Sequence, residues 1–267
     1  MLTKLLKHEF IATWKVPAAL DAVLIGLGIL AHLMLRAAPF VRDSMGFVVL
    51  MILFIGVYYI GIIAANIVTL GFLVMRYYKN LYTSEGYLTF TLPVSTESII
   101  NAKVISGFLW MLLSVISTVL SVLITLTGVI GMADVPYEEL MEAADGFMDI
   151  LREGQSVIAA IILVGIATSL YSVLSLYFSV TVGQLWEKHK ILGAVLCYIG
   201  IYILNLIITQ GTIITSGMYS IMDENYDREF GRLYAGMLNR STIISAVLSI
   251  AFYAACIIIT KRKVNLD

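Results

Sequence analysis

The sequence predicts an all-α polytopic membrane protein with six transmembrane helices, and three observations carry that prediction. Of its 267 residues, 60% are hydrophobic and 13% charged. A soluble domain of this length cannot hide that much apolar surface. Six apolar stretches each reach the roughly 20 residues that cross a hydrocarbon core about 30 Å thick. The basic residues between those stretches are sorted by side.

Taken in order, the chain opens with "MLTKLLKHEFIATWKVPAAL", a basic flank before an apolar stretch, as in a signal peptide. The apolar part runs from Val16 to Leu35, longer than an ordinary h-region, and Arg36 follows it, so it reads as a retained first span. Within residues 2–15, Leu2, Leu5, Leu6, Phe10 and Trp14 fall near one face, with Lys4, Lys7, Ile11 and Lys15 elsewhere. That pattern suits an amphipathic helix on the inner leaflet, its lysines near anionic headgroups; the alternative is a plain charged tail. The spans are expected at about 17–35, 47–75, 104–131, 156–183, 191–213 and 241–260. The second exceeds what crossing requires, so it is expected to tilt or project from the membrane.

Lysine and arginine set the orientation. With a cytoplasmic N-terminus, eleven basic residues fall inside and six outside, and no lysine is outside. Acids sort the other way, twelve outside and five inside. Both termini are therefore expected in the cytoplasm. Outside, residues 134–153 read as an acidic amphipathic helix, with Tyr137, Leu140, Met141, Ala144, Phe147, Met148 and Leu151 at helical spacing and Pro136 in the first turn. Residues 214–238 repeat the design through Tyr219, Met222, Tyr226, Phe230, Leu233 and Met237. Such helices cap a pathway or rest at the interface.

The segment "YYKNLYTSEGYLTFTLPVSTE", residues 77–97, breaks the oily pattern between spans two and three. Gly86 suits the end of a helix, Pro93 blocks continuation, and Ser95 can cap span three with Glu97 in its first turn. The expectation is a short helix around Tyr78–Ser84, a turn, an extended "LTFTL" link, and then a long helix. Tyr77, Tyr78, Tyr82, Tyr87 and Phe90 suit a protein interface or headgroup anchoring.

"YKNLYTSEGYLTFTLPVS" followed by "KVISGFLW", with the opening "LTKLLKHEFIATWK" and the six-span layout, resembles the permease subunits of ABC-2 type ATP-binding-cassette exporters of Gram-positive bacteria. The similarity is greatest to small permeases whose ATPase is a separate polypeptide, including exporters of amphipathic peptides such as phenol-soluble modulins and systems conferring peptide-antibiotic immunity. The resemblance implies a type V exporter transmembrane domain in the bacterial cell membrane. It makes the segment after span two a coupling helix that docks on the ATPase, with Tyr78, Lys79, Leu81, Tyr82, Thr83, Glu85, Gly86 and Tyr87 as docking residues. Residues 2–15 would match the family's connecting helix, and about 211–237 its re-entrant outer helices. The implied partners are two ATPase copies, which would bind ATP and magnesium, and a second permease copy, identical or a close paralogue. The implied cargo is an amphipathic peptide or a lipid-like molecule.

The chain lacks the G-x-x-x-x-G-K-[ST] string of a phosphate-binding loop, and neither H-E-x-x-H nor G-x-S-x-G occurs. It is thus expected to be no enzyme by itself, to bind no cofactor or metal, and to have no nucleic-acid partner. Cys197 and Cys256 sit inside apolar runs and read as packing residues. Charged or ionisable groups inside spans are functional candidates by default, and span one supplies Asp21 and His32. Asp21 is expected to contact Lys15 or another lysine of the first helix; His32 lies near the outer end, within reach of interfacial water or substrate. Such scarcity disfavours an ion-coupled transporter. Asn66 and Thr69 in span two and Asn205 in span five are the candidate pathway lining, because in the resembling family those spans line the dimer axis; the competing reading is interhelical hydrogen bonding. Small residues along span three (Ser114, Thr118, Ser121, Thr125, Gly128) and span four read as packing seams. A membrane assembly factor or sensor is the rival class, with the aromatic segment holding some other partner.

Overall fold

The structure, a computed structural model, describes residues 2–41, 44–91, 93–132, 155–186, 188–215 and 226–263. Its regular elements are helices: α1 (Leu2–Thr13), α2 (Lys15–Ala37), a 3-10 turn (Ala38–Val41), α3 (Met45–Tyr82), α4 (Ser84–Phe90), α5 (Thr96–Met132), α6 (Gln155–Gly183), α7 (Lys190–Thr215) and α8 (Tyr226–Lys263). Six stretches of these helices are long and apolar enough to cross a membrane: 15–41, 45–82, 96–131, 157–183, 190–215 and 233–261. Five of them contain a span expected from the sequence, and the fourth matches its expected span to within one residue. The chain is an all-α, multi-pass membrane protein. Large apolar side chains project outward all along them, among them Leu53 (66% exposed), Ile60 (66%) and Ile250 (68%), as lipid-facing helices require.

At 38 residues, α3 is about 57 Å long by helical rise, well beyond a core of roughly 30 Å. Pro17 does not disturb α2 because it lies in the first turn, where its missing N–H would have no helical partner. The amphipathic stretch expected to begin near 214 takes a different form over its described part. Residues from Tyr226 onward run without a break into the sixth span as α8, and α7 continues to Thr215. Residues 226–237 are thus helical and continuous with the helix of the sixth span, which their three-to-four-residue apolar rhythm extends. The acidic helix expected at 134–153 lies outside the described residues, as do positions 216–225.

The chain divides into two compact units. One comprises Ile11–Phe72 and Leu109–Ile150. Its core is the small-residue ridge of α5. Ser114 Oγ donates to Asp21 at 2.9 Å, Ser121 Oγ donates to the Leu24 carbonyl at 2.9 Å, and Tyr58 Oη meets Ser121 Oγ at 2.9 Å. Asn66 of α3 donates to Thr118 Oγ1 at 3.2 Å and to its own Ile62 carbonyl at 2.9 Å. Gly28 and Gly128 let backbones meet: a Cβ on Gly28 would stand 2.8 Å from the Ser121 carbonyl, and one on Gly128 would stand 2.8 Å from His32 Cα. Small residues at such seams are how membrane helices gain close packing without a hydrophobic driving force.

The other unit comprises Met1–Phe10, Leu73–Phe108 and Leu151–Asp267. There α6 packs against α7 and α8. Phe252 of α8 stacks on Phe178 of α6, with ring centroids 4.8 Å apart. Gly183 closes α6 against the start of α7, where an added Cβ would meet the Lys190 carbonyl at 2.6 Å. This unit carries the 77–97 segment.

Candidate functional site

Residues 77–97 form a helix end, a break, a short helix and a capped restart. The long helix α3 continues to Tyr82 instead of giving way to a separate helix at Tyr78–Ser84. It breaks at Thr83, whose backbone is extended (φ −118°, ψ −170°). Its hydroxyl donates back to the Lys79 carbonyl at 2.6 Å. The short helix α4 then covers Ser84–Phe90. Gly86, expected at a helix C-terminus, sits in the first turn of α4, its N–H donating to the Thr83 carbonyl at 2.8 Å. The "LTF" expected to be extended is helical as well. The reason is local: once Thr83 is extended, a fresh first turn at Ser84–Glu85 can form, with Glu85 favourable near its positive end. Thr89 Oγ1 donates to the Asn80 carbonyl at 3.0 Å, which ties α4 back onto α3. After Pro93, Ser95 caps α5 as expected, accepting from the Ser98 N–H at 3.3 Å.

The segment stands on a network of hydroxyls and charges. Tyr77 is buried and stacks face to face on Tyr177 of α6, with centroids 4.0 Å apart. Tyr77 Oη and Tyr82 Oη each lie 3.0 Å from Thr181 Oγ1 of α6, and Tyr82 Oη lies 3.2 Å from Thr260 Oγ1 of α8. Because Thr181 donates to the Tyr177 carbonyl at 2.8 Å, it accepts from both tyrosines. Tyr82 can then accept from Thr260, and every hydroxyl in the group is satisfied, as burial demands. Two further ties bind α5 to α8: Tyr253 Oη donates to Asn101 Oδ1, and Lys261 pairs with Glu97, both at 2.5 Å.

Beside this lies a charged cluster. Glu9 of α1 pairs with Arg76 of α3 at 3.2 Å and with Lys103 of α5. Lys103 is buried, so its carboxylate partner is what makes that burial tolerable. Burial pushes the Glu9 carboxyl up, but the Lys103 ammonium and the Arg76 guanidinium outweigh it and hold the group below its ordinary value. In the amide orientation that satisfies both ends, Asn80 donates to Glu85 Oε2 at 3.0 Å and accepts from Lys103 Nζ at 3.2 Å. The carboxylate of α4 is thereby linked to the cluster that holds α1.

The expected docking residues divide by exposure. Leu81 (0% exposed), Tyr82 (8%) and Gly86 are buried and belong to the footing of the segment. Lys79, Glu85 and Tyr87 are exposed, Tyr87 by 66%, while Tyr78 and Thr83 are half-buried. Asn66 makes the interhelical bond described above, and Thr69 is fully buried with a hydroxyl that lacks a partner among the described residues. His32 binds Thr127 Oγ1 at 3.0 Å and the Ile124 carbonyl at 3.2 Å. Asn205 projects outward from α7. Asp21 is held by Ser114 and not by a lysine. Glu9, Arg76, Asn80, Thr181 and Thr260 escape the sequence reading. The one signal for Glu9, Arg76 and Asn80 is Lys103 itself, a charge at the edge of an apolar run that needs a partner. No family model, curated protein or solved structure matches the chain.

Proposed function

We propose that this six-span protein is the membrane subunit of an ATP-driven exporter, with its ATPase supplied as a separate polypeptide and α4 as the docking element. The observation that carries the reading is the two-sided character of residues 78–87. One side, Leu81, Tyr82 and Gly86, is buried, with Tyr82 bonded to α6 and α8; the other, Lys79, Glu85 and Tyr87, is turned outward. A short helix with a rigid root and a free polar-aromatic face suits a part that receives force from a partner and passes it to spans. Aromatic residues such as Tyr87 are favoured interface anchors. The acceptor face would lie in the cytoplasm, in keeping with the side on which all the lysines are expected.

A second copy of the chain or a close paralogue would complete the pathway. Asn205 and Gln210 support this: both are exposed on an apolar span, and neither has a hydrogen-bond partner among the described residues. An amide facing lipid is costly, whereas one facing a second copy or a polar lumen is not. The cargo would be an amphipathic peptide or a lipid-like molecule, in keeping with spans that are largely aliphatic.

Purification of the tagged chain from its native membranes, followed by mass spectrometry, tests the reading. The expected result is an ATPase at one copy per chain, with at least a tenfold loss of that partner in the Glu85→Arg/Tyr87→Ala double variant. Recovery of a different stoichiometric protein, or undiminished ATPase capture by the double variant, overturns it. Thiol labelling of Glu85→Cys with an impermeant reagent is expected in inverted vesicles and not in intact cells.

A further inference from the structure

Two adjoining clefts open between α3 and α7, the first walled also by α6, all within the unit that carries α4. The first is a slot of about 340 Å3, within the roughly 300–1,000 Å3 of small-ligand sites. Its walls are apolar: Val74 and Met75 from α3, Leu176 and Val180 from α6, Val195 and Tyr198 from α7. The second, about 650 Å3, shares Tyr78, Lys190, Ile191 and Val195 with the first and adds Lys188 and His189. One hollow therefore changes character along its length, apolar among the spans and cationic at its mouth.

Its dimensions fit a leaflet. From Lys190 to Tyr198 the helix rises about 12 Å, within half of a hydrocarbon core of roughly 30 Å. Among the described residues its charge meets no carboxylate. Lys103 and Lys261 are each met by a carboxylate, but Lys188 and Lys190 have none among the described residues. The first turn of α7 also holds no acid to answer its positive end.

We propose that this hollow binds an anionic phospholipid, with one acyl chain in the slot between α3, α6 and α7 and the headgroup phosphate against Lys188 and Lys190. A soluble phosphate would use the exposed mouth alone, where two lysines in high dielectric hold it weakly. A zwitterionic lipid would fill the slot but bring its own cation to the lysines. An anionic amphiphile satisfies both parts, which is the arrangement by which basic pockets between spans hold anionic headgroups. The site needs the six spans and not the exporter reading. It would brace α3, α6 and α7 beside Tyr78, at the root of the 77–97 segment.

Native mass spectrometry of the full chain in mild detergent tests the proposal, with equimolar phosphatidylglycerol and phosphatidylcholine titrated together. The expected result is one tightly held phosphatidylglycerol and about tenfold weaker phosphatidylcholine. Lys188→Gln/Lys190→Gln is expected to lower phosphatidylglycerol affinity at least tenfold and leave phosphatidylcholine unchanged. Val195→Trp, at an exposed position, is expected to weaken both lipids by filling the slot, while Lys4→Gln/Lys7→Gln changes neither. Thermal unfolding of each variant confirms that it is folded. Equal affinity for the two lipids, an undiminished preference in the lysine variant, or binding of glycerol phosphate as strong as that of the lipid overturns the proposal.

Discussion

The two units of this chain hold their helices together by opposite means. In the unit containing α2, glycine and serine bring backbones close, and hydrogen bonds are short reaches from Ser114 and Ser121 across a tight seam. In the unit containing α4, large tyrosines join helices at their hydroxyl tips, with a charged cluster alongside. A seam of small residues fails when anything is added to it. A network of tips and charges fails when a single atom is removed or a proton is added. The second kind of joint can be loosened without unpacking a helix, and it is the one beneath the exposed face of residues 78–87.

Three substitutions sharpen that contrast. The largest effect is expected from Glu9→Gln, which leaves Lys103 buried without its carboxylate and should cost about 3 kcal/mol, read as lower thermal stability in detergent and faster proteolysis within α1. The same contact makes the wild type pH-sensitive. The Glu9 carboxyl is held below its ordinary 4.5 in the folded chain, so its contribution is complete above that unfolded-state value and is lost as pH falls through the lower folded one. Thermal unfolding from pH 7 to pH 3 should show that loss in the wild type and a flatter profile in the variant.

Gly28→Leu comes next. Its Cβ would stand 2.4 Å from Ser121 Oγ, an overpacking expected to cost about 1–3 kcal/mol. Gly26→Ala, two positions away with nothing within 4 Å, should unfold no earlier than the wild type. If both glycines tolerate substitution equally, the close seam is wrong.

The smallest effect is expected from Tyr82→Phe, which keeps the ring and removes the bonds to Thr181 and Thr260, at about 1–2 kcal/mol. A double-mutant cycle with Thr260→Val measures the coupling, and an interaction energy near zero would mean that the hydroxyl network does not fasten α3 to α8.

Much of the scaffold was legible in the chain. The six spans, the excess length of α3 and the helix at the N-terminus follow from run lengths and apolar spacing, which are properties of consecutive residues. The Ser95 cap was readable for the same reason. The small-residue ridge of α5 was recognisable as a seam, but not its partner. Asp21 illustrates the limit: its nearest lysine in sequence was the natural expectation, yet Ser114, 93 positions away, supplies the bond. Residues 81–90 show another. Gly86 and Pro93 both signal a stop, and the break falls at Thr83 instead, because the hydroxyl of Thr83 and the bond from Thr89 to Asn80 favour a second helix folded back on the first.

By itself the sequence determined that this is a multi-pass membrane protein and roughly where its six candidate spans lie. Those outcomes depend on transfer energies that add up along a window of residues, so neighbours in the chain suffice to set them. Tertiary structure alone decided that Leu81 and Tyr82 turn inward while Tyr87 turns out, that Glu9 reaches Lys103, and that an apolar slot meets a cationic mouth beside Tyr78. These depend on the rotation and separation of helices far apart in the chain, since a hydrogen bond or an ion pair forms over a few ångströms and no local pattern records which surfaces will come that close.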